Sequence, residues 1–343
     1  MPKFTSMHDL KYFLNLTSIS LKVIFRRFRK LKKYPNWSLK TEIIWATSRY
    51  TLLSSNEHGL PWLKKLSQKL TPKLKGGKKS TIESTNINGV HCLKISPKEN
   101  KNLDTAIVYF HGGGYVLGSP EATLEFTSTL SLTANTTIFI PDYPKAPEQT
   151  YPEAHISAEQ ITNHLVNTYK NLVLMGDSAG AALVLSTYGN LGPSAKGRIK
   201  AIVLVSPWIE PLATSGSINY NAGNDVGDRT FVTNCYRLYL AGKIENPRYP
   251  MTIEHSTLSD LPPTFISIGS AEILFSQTEE LKRRLLNTST KLEFKLYQNM
   301  FHTFWNHPKS IPEASTLIAD ISCWLSNKVS SQTKVSISKS PKP

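Results

Sequence analysis

From about Val90 onward the chain alternates short apolar runs, rich in β-branched residues, with longer amphipathic stretches. The runs Val90–Ile95, Thr105–Phe110, Thr136–Ile140, Asn171–Met175, Lys200–Val205, Thr264–Ile268 and Leu292–Tyr297 read as strands. Helical spacing falls between several of them, over Pro152–Tyr169, Ala179–Tyr188, Gln277–Leu286 and Pro312–Trp324. Strands that alternate with crossover helices imply an α/β fold with a mainly parallel sheet and helices on both faces. The stretch 208–250 breaks the alternation and reads as a cap segment inserted into the core. Residues 1–80 read as a helical, basic arm and a first piece of cap, leaving 81–326 as the α/β core. From about Asn327 the chain is rich in Ser and Lys with little to bury, so 327–343 is expected to be a disordered basic tail. No internal repeat is visible.

Charge changes this picture at the ends only. The formal net charge of the 343 residues is +15, but the excess is uneven. Residues 26–33 read Arg-Arg-Phe-Arg-Lys-Leu-Lys-Lys; Lys73, Lys75, Lys78 and Lys79 form a second run, and Lys334, Lys339 and Lys342 sit in the tail. A near-neutral centre with basic ends, and no base-reading motif, argues against a nucleic-acid partner. The segment Tyr12–Phe25 is apolar in tone but interrupted by polar residues, too short and too polar for a membrane span of about 20 residues. Two readings of it stand: an amphipathic helix whose residues 22–33 contact a membrane surface, or a cap helix packed on the α/β core with a solvated basic face. Cys92, Cys235 and Cys323 lie far apart without metal-ligand spacing, which fits buried free thiols in a reducing compartment. The expected location is cytoplasmic, with contact to an intracellular membrane left open, as is the oligomeric state.

The chemistry concentrates in two glycine-flanked motifs. Asn171-Leu-Val-Leu-Met175 runs into Gly176-Asp177-Ser178-Ala179-Gly180 and then into an apolar helical stretch. This strand, tight turn and helix is the context a nucleophilic serine elbow requires, with glycines where side chains would collide. The elbow presents the Ser178 hydroxyl at the sheet's C-terminal edge, near a helix N-terminus that favours developing negative charge. Upstream, His111-Gly112-Gly113-Gly114-Tyr115 follows a strand. Alone, such a loop could cradle a phosphate or simply turn. Paired with the elbow it reads as an oxyanion hole built from the N–H groups of Gly112, Gly113 and Ala179, with Gly114 able to replace one of the first two.

The combination of His-Gly-Gly-Gly, Gly-Asp-Ser-Ala-Gly and the intervening Asp142-Tyr143-Pro144-Lys145-Ala146-Pro147-Glu148 resembles the hormone-sensitive-lipase family of α/β-hydrolase esterases, from roughly Thr105 to Phe304. The family usually has Arg-Leu at Pro144-Lys145 and a second glycine at Ala181, departures that bear on loop surface and helix packing. The resemblance implies an eight-stranded α/β-hydrolase sheet with a helical cap, His111 and Asp177 as motif-supporting residues, and an acid and a histidine following the serine in chain order. The family's acid falls in the turn after the strand that ends at Ile268, where Glu272 stands; Asp260 lies at the strand's wrong end, and Glu279 and Glu280 look like solvated helix residues. The family's histidine loop matches Asn299-Met-Phe-His302-Thr-Phe304, which leaves His307 outside the motif.

The expected activity is therefore hydrolysis of short-to-medium acyl esters by a Ser178–His302–Glu272 triad, with no metal and no organic cofactor. Lipid or sterol acetates enter because Tyr34-Pro-Asn-Trp-Ser-Leu-Lys40 is similar to N-terminal regions of fungal members, including steryl acetyl hydrolases. Trp45, Tyr50 and Trp62 are candidates for lining a pocket or for packing the cap. Two other readings remain: an arylacetamide or other amide deacetylase, and a catalytically idle small-ligand receptor on the same fold, as plant gibberellin receptors are similar to this family but lack the histidine.

Overall fold

The computed structural model describes residues 7–71, 79–100, 102–212, 216–253, 258 and 261–333. Four helices come first: α1 (Met7–Phe28), α2 (Leu39–Leu53), α3 (Ser55–His58) and α4 (Leu60–Leu70). A hairpin follows, β1 (Ser80–Ile87) and β2 (Val90–Pro97), and then the alternating part: β3 (Thr105–Phe110), α5 (Leu124–Ala134), β4 (Thr137–Pro141), α6 (Glu153–Thr168), β5 (Asn171–Asp177), α7 (Ala179–Asn190), α8 (Pro193–Arg198) and β6 (Ile199–Val205). After β6 come α9 (Ser217–Tyr220), α10 (Arg229–Leu240), β7 (Thr264–Gly269), α11 (Phe275–Leu286), β8 (Leu292–Tyr297) and α12 (Pro312–Thr333).

The strands form one eight-stranded sheet in the order β1-β2-β4-β3-β5-β6-β7-β8. The pairs β1/β2 and β2/β4 are antiparallel, and all pairs from β4 to β8 are parallel. This is the α/β-hydrolase fold. Every residue of β3, β4 and β7 is buried, as expected where helices cover both faces of a parallel sheet. The period-two alternation sorts these side chains into two cores. Val108, Phe110, Leu172, Leu174, Ile202 and Leu204 pack with α6, α7 and α11 on one face. Ile107, Tyr109, Val173, Met175, Ala201 and Val203 pack with α5 and α12 on the other.

The strand β1 was not among the apolar runs, because its exposed edge carries mainly Ser, Thr, Asn and Glu. Its signal lay in Asn88-Gly89, both at positive φ, which makes the tight hairpin to β2. Helix α5 was hidden by its Ser and Thr content. Helix α12 continues to Thr333, so residues 327–333 are helical rather than disordered; the remainder of the expected tail lies outside the described residues, as do Lys73, Lys75, Lys78 and Asp260. Cys92 and Cys235 are buried free thiols, whereas Cys323 is exposed on α12.

The N-terminal helices are held by specific contacts. The Tyr12 and Thr51 hydroxyls share a hydrogen bond of 2.6 Å, Asn15 Nδ2 donates to the Tyr50 hydroxyl at 2.7 Å, and the Tyr12 and Tyr50 rings stack. Arg27 pairs with the fully buried Glu42 at 2.8 Å and donates to the Trp37 carbonyl, tying α1 to α2. Trp45 Nε1 donates to the Asn224 carbonyl, and Trp62 meets the Tyr12 ring edge-on. These three aromatics pack the N-terminal helices and do not line the pocket described next. Among the described residues no helix is long and apolar enough to cross a membrane.

Candidate active site

Ser178 sits between β5 and α7 with φ 53° and ψ −122°. A non-glycine residue in this region carries strain that only a close-packed surround maintains. That surround needs the flanking glycines: a Cβ on Gly176 would overlap the Gly180 carbonyl, and one on Gly180 would overlap the Phe110 carbonyl. The Ser178 N–H is anchored to the Val205 carbonyl on the neighbouring strand at 3.0 Å, and the Ser178 carbonyl accepts from Trp208 N at 3.1 Å. The elbow is therefore fixed by β3, β5 and β6 together.

The acid and the histidine come from the C-terminal ends of β7 and β8. His302 Nδ1 stands 2.7 Å from Glu272 Oε2. Glu272 is fully buried, and its other oxygen accepts from the Ser206 hydroxyl and the Gly269 N–H, both at 2.7 Å. With the carboxylate so held, Nδ1 carries the proton in the neutral ring and Nε2 is left with a free lone pair. Burial works against the charged imidazole, but the Glu272 hydrogen bond and the charges of Glu272, Asp225 and Asp177 outweigh it, so the His302 pKa lies above the ordinary histidine value. His302 and Ser178 line the same pocket. By contrast, Glu280 pairs with Arg283 and Arg284 and Glu279 with Lys282 on the outer side of α11. His307 is not part of the pocket wall, and burial lowers its pKa.

The oxyanion loop differs from the sequence expectation at one residue. The Gly112 N–H donates to Asp177 Oδ1 at 2.7 Å, and the Tyr109 hydroxyl donates to the same oxygen. Gly112 is thereby removed from the donors available to an oxyanion. A Cβ there would collide with the Asp177 carboxylate, so the glycine is required for close approach rather than for donation. Among the described residues nothing accepts from the N–H groups of Gly113, Gly114 or Ala179. Gly113 and Gly114 have φ of 121° and 63°, which side-chain-bearing residues seldom adopt. His111 supports the loop from below: its Nδ1 is 2.7 Å from the Gly112 carbonyl, its ring stacks on Tyr143, and the Tyr143 hydroxyl donates to the His111 carbonyl at 2.6 Å. Burial lowers the His111 pKa to about 3, so the ring is neutral at physiological pH. The Asp177 carboxyl is raised to about 6, burial outweighing the Tyr109 and Gly112 donors.

One residue of the site went unread in the sequence. Asp225, on the cap segment between β6 and α10, is fully buried. Its Oδ1 accepts from His302 N and its Oδ2 from Ile273 N, both at 2.7 Å. It thus ties the histidine loop to the acid's turn. Nothing local marks Asn224-Asp225-Val226-Gly227, since the partners are remote in sequence.

Above Ser178 is a cavity of ≈ 180 Å³, walled by the glycine loop, Trp208, Phe231, Val232, Ile273 and Leu274, with Leu52 reaching in from α2. Its wall is mainly apolar, with polar groups at the elbow and at Thr123, Asp225, His302, Thr303 and Asn306, as small-ligand sites commonly are.

A strained serine elbow, a glycine loop with two N–H groups left without an acceptor among the described residues and a buried acid–histidine pair, on this sheet, define a serine hydrolase of the α/β-hydrolase fold. Comparison with known proteins agrees. The profile of an alpha/beta hydrolase fold family matches residues 107–306. The chain is 29% identical over 234 residues to an acetyl-hydrolase of Streptomyces hygroscopicus, covering 66% of this chain and 77% of that protein. Its structure superposes with a TM-score of 0.77 on a mutant of the esterase E40, at 26% identity, covering 85% of this chain and 100% of the other. A TM-score of 0.71 at 25% identity relates it to EstE7, a hormone-sensitive-lipase homologue from a metagenome library, covering 82% and 97%. The chain belongs to the hormone-sensitive-lipase family of α/β-hydrolases, and it is a carboxylic ester hydrolase.

Proposed function

We propose that the protein hydrolyses small acyl esters through a Ser178–His302–Glu272 triad and an acyl-enzyme. The observation that carries this reading is the contact of 2.7 Å between the fully buried Glu272 carboxylate and His302, which lines the same pocket as Ser178. His302 Nε2 takes the Ser178 proton as Oγ attacks the ester carbonyl, and Glu272 stabilises the resulting imidazolium. The N–H groups of Gly113, Gly114 and Ala179 receive the tetrahedral oxyanion, each supplying about 2.7–4 kcal/mol of transition-state stabilisation. His302 returns the proton to the leaving alcohol; water, deprotonated by the same imidazole, then releases the acid.

The size of the cavity supports a short acyl group. A volume of ≈ 180 Å³ bounded in part by Trp208 and Phe231 favours small groups around the ester. Residues 1–80 and 208–250 act as the cap: α2 contributes Leu52 to the cavity, and α10 contributes Phe231, Val232 and Cys235. The test is a p-nitrophenyl ester series of increasing acyl length. The expected outcome is a kcat/KM that is greatest for acetate to butyrate, with Ser178→Ala lowering kcat by about 10⁶, as such replacements do in serine proteases. Turnover that rises with long acyl chains would refute the short-acyl reading. A parent without turnover that binds a ligand tightly would refute the triad assignment and favour the receptor.

A further inference from the structure

Among the described residues the first helix leaves one face without a partner. Tyr12, Leu16, Val23 and Arg27 turn inward against the α2 side of the molecule. At 100° per residue, Leu10, Leu14, Leu21, Phe25 and Phe28 fall on the opposite side, and each leaves between 46% and 83% of its surface in water. The wall of a shallow open groove runs along this face, from Leu14 through Leu21 and Lys22 to Phe25 and Arg26. Contiguous apolar surface of this kind on a helix marks an interaction site rather than scattered exposure.

The charge around it is of one sign. Between Leu10 and Thr41 there is no acidic residue. Lys11, Lys22, Arg26 and Arg29 line one flank of the stripe, and Lys30 follows at the helix end. Arg27 and Lys33, by contrast, are committed to the protein, Arg27 to Glu42 and Lys33 to Asn224 and the Trp45 ring. An apolar stripe flanked by cations that pair with no acidic group among the described residues is the pattern of a helix that lies in an anionic lipid interface. A second copy of the chain is disfavoured as occupant, because a two-fold contact would set this cationic flank against its own like charge.

We infer that the outer face of α1 docks the enzyme on anionic bilayers, with Leu14, Leu21, Phe25 and Phe28 entering the acyl boundary and the flanking cations meeting phosphate headgroups. The docking helix is one element from the active site: α1 packs on α2, and Leu52 of α2 lines the cavity above Ser178. The surface is independent of the acyl chemistry proposed above, and its test does not require turnover.

The full chain is sedimented with vesicles of phosphatidylcholine alone and of phosphatidylcholine with phosphatidylserine. Binding to the anionic vesicles, weakening as salt is raised, is expected. Each cation near such a surface contributes about fivefold, so Lys22→Glu/Arg26→Glu should weaken partitioning by at least about 30-fold. Leu21→Glu/Phe25→Glu should abolish it. The melting midpoint of each variant, read by circular dichroism, shows that the fold is retained, as expected for substitutions on an unpartnered face. Equal binding to neutral vesicles, or variants that bind like the parent, would overturn the inference. So would a parent that ignores vesicles but sediments as a dimer split by Leu21→Glu/Phe25→Glu, which would make this face a contact between copies.

Discussion

The replacement Asp225→Asn separates two roles that this buried carboxylate plays. Its oxygens accept from His302 N and Ile273 N at 2.7 Å, and Oδ1 also accepts from Val226 N. An asparagine oxygen placed toward His302 turns its NH₂ toward the Ile273 N–H, donor against donor, at a fully buried position. Losing a hydrogen bond to a charged group and stranding a buried donor costs about 2–4 kcal/mol. For a chain of this size that is a drop in melting midpoint of about 3–6 °C. If about 1.4 kcal/mol of it is felt in the transition state, kcat/KM falls about tenfold. The pH profile reads the electrostatic role separately. His302 must be neutral to act as a base, so kcat/KM climbs as pH rises through its pKa, and Asp225 is one of the charges that hold this pKa up. Neutralising Asp225 lowers the pKa and moves the acid limb to lower pH. The assay is p-nitrophenyl acetate hydrolysis across pH, followed at the isosbestic wavelength of the product, with thermal melts alongside. A lowered melting midpoint with an unmoved acid limb would show that Asp225 only braces the loop. A limb displaced to higher pH would refute the electrostatic argument altogether.

Glu272→Gln should preserve the fold and lower kcat by about 10⁴, the loss known for the equivalent change in a serine protease triad; near-parental kcat would remove Glu272 from the triad. Gly180→Ala drives a methyl into the Phe110 carbonyl, and overpacking of this kind costs about 3 kcal/mol or more. Its melting curve checks this, and an unshifted curve would contradict the close packing of the elbow. Asp177 is raised from 3.8 to about 6 by burial, so the folded protein keeps a proton that the unfolded chain gives up between those values. Its contribution to stability is therefore greatest below pH 4 and declines by about 3 kcal/mol as pH rises to about 6. The difference between parent and Asp177→Asn in denaturant unfolding should change across that window, and a constant difference would refute the raised value.

Much of the molecule can be read from the chain because its signals are local. A β-branched run buried on both faces is apolar at every position, which is why β3, β5, β6 and β7 stand out. Gly176 and Gly180 mark the elbow because no other residue fits between Ser178 and the neighbouring carbonyls. The acid and the histidine follow in chain order and are identified by resemblance, and the folded chain sets them 2.7 Å apart. What escaped depended on remote partners. An edge strand such as β1 needs apolar residues on only part of its length, and α5 earns its helix from burial of Phe126 and Leu130 rather than from propensity. The three glycines of the loop are equivalent in sequence. Only the approach of Asp177, sixty-five residues away, spends the Gly112 N–H and leaves those of Gly113 and Gly114 as the donors of the proposed oxyanion hole. Asp225 likewise gains its place from contacts with His302 and Ile273 across the site. The sequence determines which residues can carry this chemistry, because residue type and backbone freedom are local properties. Tertiary structure alone decides which of their donors are already spent and which apolar face is left uncovered, because both depend on what packs against them.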